Sequence, residues 1–121
     1  MNFEETWENY VQSWKTQDPL LRKALFAKSL ASDCCYHDPI IKAQGWDALT
    51  TYMEQFHQQI QGGHFVTQEF LSHSNKSVAR WEMRDTDNIV LGNGISYGEY
   101  DSEGRLYAMT GFFQVPENAS S

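Results

Sequence analysis

The spacing of apolar residues changes once along the chain, at Gly62-Gly63, and that change limits the fold more than any other feature. Before it, apolar side chains recur every three or four residues, the period of a helix face; after it they alternate, the period of a strand. Phe3, Trp7, Tyr10, Val11 and Trp14 mark one face of a helix ending near Thr16. Asp18-Pro19 supplies an N-cap and a proline at the first helical position, opening a second helix to about Leu30. Residues 34–37 read as a short strand stopped by Asp38-Pro39. A third helix then carries Trp46, Leu49, Tyr52, Met53, Phe56 and Ile60 on one side.

Beyond the two glycines, residues 65–74 and 77–85 read as strands, the second alternating Ala79, Trp81 and Met83 with Arg80, Glu82 and Arg84. Residues 89–100 form a longer strand with Gly92, Gly94 and Gly98 where a sheet can bend or bulge. Asp101-Ser102-Glu103-Gly104 is a hairpin turn, and residues 105–115 make the last strand. Helices first and long strands afterwards predict an α+β domain, with helices gathered on one face of a mainly antiparallel sheet. Bending that sheet around the first helix makes a cone with one open end. The expectation is a single domain over residues 1–115 and a frayed polar tail over 116–121.

Composition narrows the function classes. Of 121 residues, 40% are hydrophobic and 14% aromatic, enough for a core without disulfides or a structural metal. A net charge of −7 argues against nucleic acid and against anionic membrane surfaces, both of which call for basic faces. No apolar run approaches the ~18 residues that span a bilayer, and the acidic first ten residues lack the pattern of a secretory signal. Cys34 and Cys35 are adjacent, a poor geometry for a bridge, and suit the reducing cytoplasm.

The chain lacks a glycine-rich phosphate loop and a serine nucleophile elbow. His37, His57, His64 and His73 lack the close pairing of a helical zinc site and read as surface or turn residues, so neither metal nor cofactor is expected. One carboxylate stands out. Asp38, in Tyr36-His37-Asp38-Pro39-Ile40, falls at the mouth of the cone. A carboxylate among apolar neighbours can serve as a general base, whereas an aspartate before proline is also a plain turn cap.

The order of elements, the Asp-Pro after the first strand and the Tyr-Asp-Ser-Glu-Gly-Arg-Leu hairpin together resemble the NTF2-like (cystatin-like) superfamily, over the span from Trp7 to Phe113. Within it the likeness is to SnoaL-like polyketide cyclases and ketosteroid isomerases. In the isomerases an aspartate moves a proton while a tyrosine and a protonated aspartate stabilise the enolate oxygen. The resemblance implies Asp38 as base and Tyr10 as oxyanion donor, with Arg80-Trp81-Glu82-Met83 matching an Arg-x-Glu-Met strand. Ser96 stands where the second oxyanion acid would be, and a serine hydroxyl is the weaker acid, which counts against steroid isomerisation itself. The implied ligand wall is Trp14, Tyr52, Phe56, Trp81, Ser96, Met109 and Phe113. For the other face of the last strand, with Ala108, Thr110, Phe112 and Gln114, the resemblance implies a homodimer.

Three functions fit these residues: an acid–base enzyme acting on a small carbonyl compound, a non-catalytic pocket for a small apolar molecule, and a dimeric interaction module.

Overall fold

Two side-chain caps set the helices at the N-terminus. In the structure, a computed structural model that describes residues 2–115, α1 (Phe3–Lys15) starts at Asn2, whose side chain accepts from the Glu5 amide. Glu4 and Glu5 in its first turn and Lys15 in its last complement the helix dipole. Asp18 caps α2 (Pro19–Ser29) by accepting from the Leu20 amide at 2.9 Å. β1 (Leu30–His37) follows without a loop, and a four-residue turn leads to β2 (Lys42–Gln44), a short strand not expected from the sequence. α3 (Gly45–Gln59) completes the helical half.

Four strands follow, as the alternation predicts: β3 (His64–His73), β4 (Lys76–Arg84), β5 (Val90–Tyr100) and β6 (Leu106–Phe112). The first hairpin turns on Ser74 and Asn75, both at positive φ. The last turns on Asp101, whose side chain accepts from the Glu103 and Arg105 amides, with Gly104 at φ +82°. All six strands form one sheet in the order β2-β1-β6-β5-β4-β3. Only the β1–β6 pair is parallel; the rest are antiparallel. Register shifts at Thr67/Glu69, Met83/Arg84 and Glu99/Tyr100 add local bends of the kind that curve a sheet.

The core lies between α1 and the inner sheet face. Trp7, Tyr10, Val11 and Trp14 from α1 are buried with Leu30, Cys34 and Tyr36 from β1 and with Ala79, Tyr100, Leu106 and Met109 from the later strands. Phe3 stacks on Tyr100 at 4.3 Å, and the Tyr100 hydroxyl meets Ser77 Oγ at 2.8 Å in the interior. Gly98 leaves room for its neighbours: a Cβ there would sit 2.7 Å from Leu106 Cδ2 and 3.0 Å from Ser77 Oγ, so the buried Leu106 side chain would have to move. Cys34 is buried and Cys35 half-buried, both free, and burial pushes the Cys34 thiol up to about 11. Among the described residues, no helix is long and apolar enough to cross a membrane. The tail expected over 116–121 lies outside the described residues.

Arg22 is buried on the helix side of the core, and His57 on α3 is half-buried. Arg22 is 2% exposed; its Nη2 donates to the Thr16 carbonyl at 2.7 Å, just past the end of α1, and its Nη1 lies 4.0 Å from Glu54. Both ring nitrogens of His57 are shielded from solvent, with only the Trp14 carbonyl near them and no well-formed hydrogen bond, although the side chain as a whole is half-buried and not fully on the surface as expected. Burial lowers the His57 pKa, the nearby Trp14 carbonyl opposes that, and the Arg22 charge lowers it further. The folded state therefore favours neutral imidazole, while the unfolded chain takes up a proton near the ordinary histidine value of ~6.5. This contribution to stability should be complete above about pH 6.5 and decline as the pH falls through and below it. Urea midpoints at pH 7.5 and 5 should differ more in the wild type than in His57→Gln; equal pH dependence would contradict this placement.

Candidate functional site

The site begins with strand alternation. On β1, Cys34 and Tyr36 face the helices while His37 is exposed, and the same alternation carries Asp38 inward just past the strand's end. His37 lies on the other side, its Nδ1 3.8 Å from Cys35 Sγ.

The two oxygens of Asp38 have separate tasks. Oδ1 accepts from the backbone amides of Ile40 (2.8 Å) and Ile41 (3.0 Å), closing the turn into β2. Oδ2 points toward α3 and accepts from two phenols, Tyr36 Oη at 2.7 Å and Tyr52 Oη at 2.6 Å. Turn cap and inward-facing carboxylate, alternatives at the level of sequence, thus coexist in one side chain. The phenols are held protonated. Burial raises the pKa of Tyr36 and Tyr52 far above the ordinary phenol value, and the Asp38 charge and hydrogen bonds add to it.

The aromatic residues expected along the wall form one connected cluster around Trp14. Its indole meets Tyr36, Tyr52, Phe56 and Phe65 at centroid distances of 5.9, 5.8, 5.6 and 5.4 Å. Phe65 continues the chain of rings to Trp81 at 5.1 Å, and Trp81 to Phe113 at 6.3 Å. Trp81 Nε1 donates to Ser96 Oγ at 2.9 Å. Trp81 and Phe113, with Gly94 between them in the sheet, also line a cleft of about 460 Å³ whose polar residues include Gln68, Arg80 and Glu82. Asp38 is not part of that cleft.

The other expected site residues fall into two groups. Tyr52, Phe56, Trp81, Ser96 and Phe113 are partly exposed, whereas Trp14 and Met109 are packed in the core. Tyr10 is 4% exposed, and its pKa is raised chiefly by burial, with Asp38 among the charges it feels. The hydroxyls bonded to the carboxylate, however, belong to Tyr36 and Tyr52. Sequence reasoning gave Tyr36 no role, although its place two residues before Asp38 on a strand was the available signal. It also overlooked Gly111, whose missing side chain faces Asp38, Tyr36 and Ser96.

Comparison with known proteins agrees with this architecture. The chain belongs to the SnoaL-like domain family, whose sequence profile matches residues 7–118. Among solved structures it is similar to a provisionally assigned isomerase of the SnoaL-like family from Agrobacterium tumefaciens, with a TM-score of 0.84 and 22% identity over 93% of this chain and 97% of that one. A provisionally assigned polyketide cyclase from Sinorhizobium meliloti superposes with a TM-score of 0.71 at 11% identity, over 92% of this chain and 99% of that one. A hypothetical protein with a ketosteroid isomerase-like fold from Catenulispora acidiphila, solved with trimethylamine, gives 0.73 at 9% identity, over 92% and 86%. At these identities the likeness shows the fold. No curated protein sequence matches the chain.

Proposed function

We propose that the chain binds a small, largely apolar carbonyl compound inside the cone and that Asp38 moves a proton on it. The observation carrying this reading is the placement of Asp38 Oδ2: a carboxylate oxygen turned away from the turn it caps, toward an aromatic interior, and held by two phenols. With two amides on Oδ1 and two phenols on Oδ2 its acceptor positions are filled, so one phenol has to turn from Oδ2 to the ligand before that oxygen takes a proton from the carbon beside a carbonyl. The electron pair left behind moves onto the carbonyl oxygen as an enolate, and the proton then returns to another carbon of the same molecule. Hydroxyl groups around the site stabilise the developing oxygen charge. Tyr10, the donor suggested by resemblance, is enclosed nearby and feels the Asp38 charge. Isomerisation, cyclisation and dehydration of a small carbonyl compound all share this first step. No added cofactor is required by it.

A test that does not depend on knowing the substrate is hydrogen exchange. A panel of small cyclic ketones in D2O, followed by proton NMR, should lose the signal beside the carbonyl faster with wild type than with Asp38→Asn. Equal rates for the two proteins would leave the alternative, a pocket that binds a small apolar molecule without chemistry. The two free thiols favour a reducing compartment such as the cytoplasm for either activity.

The outer face of the sheet supports a second copy of this chain as partner. Arg80, Ile95 and Phe112 lie in register across β4, β5 and β6, and Leu71 pairs with Val78 across β3 and β4. Leu71, Val78, Ile95 and Phe112 are all exposed, an apolar surface that a partner sheet would cover. Light scattering at tens of micromolar should give twice the 14.0 kDa of one chain, and Phe112→Lys should shift it toward monomer. A wild-type monomer would contradict the dimer.

A further inference from the structure

The outer sheet face carries a thiol and an imidazole side by side. Cys35 and His37 lie two residues apart on β1, so both side chains leave the sheet on the side away from the helices. Cys35 is half-buried and His37 exposed, with Sγ 3.8 Å from Nδ1. A tetrahedral zinc ion, with a thiolate at about 2.3 Å and an imidazole nitrogen at about 2.0 Å, holds those two atoms about 3.5 Å apart. The pair is therefore within a few tenths of an ångström of the spacing of a chelate.

One chain supplies only half of such a site. Among the described residues, no three histidine, cysteine, aspartate or glutamate side chains come together to hold a metal ion. On β6, Ala108 stands opposite Cys35 and Thr110 opposite His37; on β2, Gln44 and Lys42 take the same two positions. Lys42 is exposed, and its long chain lets the ammonium stay in water. The methyl of Ala108 leaves the thiol open on its outward side. Cys34, the other thiol, is buried on the opposite face of the strand.

The half-site lies against the surface already read as a dimer contact. Ala108 and Thr110 share the outer row of β6 with Phe112, whose ring is exposed. A two-fold axis repeats every group of one copy on the other, so an axis over this row sets one Cys35–His37 pair facing a second.

We propose that two copies of this chain share one zinc ion, held by Cys35 Sγ and His37 Nδ1 of each. Both thiols give their protons to solvent, both imidazoles bind neutral, and two thiolates with two imidazoles fill the four positions of a closed structural site. The two thiolates balance the charge of the ion, so the site adds no net charge between chains that each carry −7. The inference rests on the reading of the outer sheet face as a dimer contact and adds what fastens it.

The test uses cobalt(II) as the spectroscopic probe and zinc for assembly, on the full chain kept reduced with a phosphine. Wild type should bind one cobalt per two chains and show the near-ultraviolet charge-transfer band of a thiolate on cobalt. Cys35→Ala should lose the band and keep the far-ultraviolet circular dichroism of the wild type. His37→Ala should bind cobalt about tenfold more weakly or worse. By light scattering, zinc should lower the concentration at which half the protein is dimeric by about tenfold or more relative to EDTA, in wild type and not in Cys35→Ala. A dimer with the same midpoint in zinc and in EDTA overturns the shared site and leaves the dimer reading standing. A monomer under both conditions overturns both. An equal band in wild type and Cys35→Ala, or one cobalt on each monomeric chain, also overturns the shared site. Should Cys35→Ala fail to fold, His37→Ala, at an exposed position, decides alone.

Discussion

One carboxylate joins the parts of this molecule that have to stay together. Asp38 accepts four hydrogen bonds, two from the turn between β1 and β2, one from Tyr36 on β1 and one from Tyr52 on α3. The turn fixes where the side chain starts; the phenols fix where its second oxygen ends. Removing a charge from water is costly unless hydrogen bonds replace the lost solvation, and four donors on two oxygens provide that replacement. The aspartate thereby ties the sheet to the helix that closes over it. A group positioned for stability in this way is also preorganised for chemistry, because its orientation does not wait for a ligand.

The aromatic cluster serves the same end by a different force. Trp14 stands at its centre, with four rings around it at centroid distances favourable for edge-on or tilted contacts. Two of those rings belong to the phenols that hold Asp38. Packing of the wall and placement of the polar centre are therefore one arrangement, and a loss of volume at Trp14 would loosen both of the carboxylate's phenols, Tyr36 on β1 and Tyr52 on α3. The glycines of β5 and β6 complete it. Gly94 and Gly98 admit Trp81 and Leu106 against the backbone, and Gly111 leaves room beside the polar groups.

Much of the fold was legible because it is written locally. The switch of period at Gly62-Gly63, the Asp18-Pro19 cap and the Asp101 to Gly104 turn are each decided by a few adjacent residues. β2 was missed since three residues between a turn and a helix carry no period of their own; β1 alone gives them a partner. The candidate base was legible for the same local reason, as an aspartate at the end of a strand. Of its partners, Tyr36 was within reach of the same local argument, two residues earlier on one face of the strand, whereas Tyr52 lies 14 residues away and meets the same oxygen only because α3 folds back over β1. His57 shows the opposite failure: its polar type suggests solvent, yet its ring nitrogens are shielded in a half-buried side chain that feels the Arg22 charge.

The central claim is that Tyr52 and Asp38 are bonded to each other inside the cone, and a double-mutant cycle tests it directly. In wild type, Tyr52→Phe removes a hydrogen bond to a charged acceptor and should cost about 1.5–3 kcal/mol of unfolding free energy. In the Asp38→Ala background the Tyr52 hydroxyl has lost that acceptor, so the same change should cost little or even stabilise, giving a coupling of about 0.5–3 kcal/mol. Denaturant unfolding of the four proteins at pH 7.5 measures both quantities. If Tyr52→Phe costs the same with and without Asp38, the two groups act independently and the account of this site is wrong.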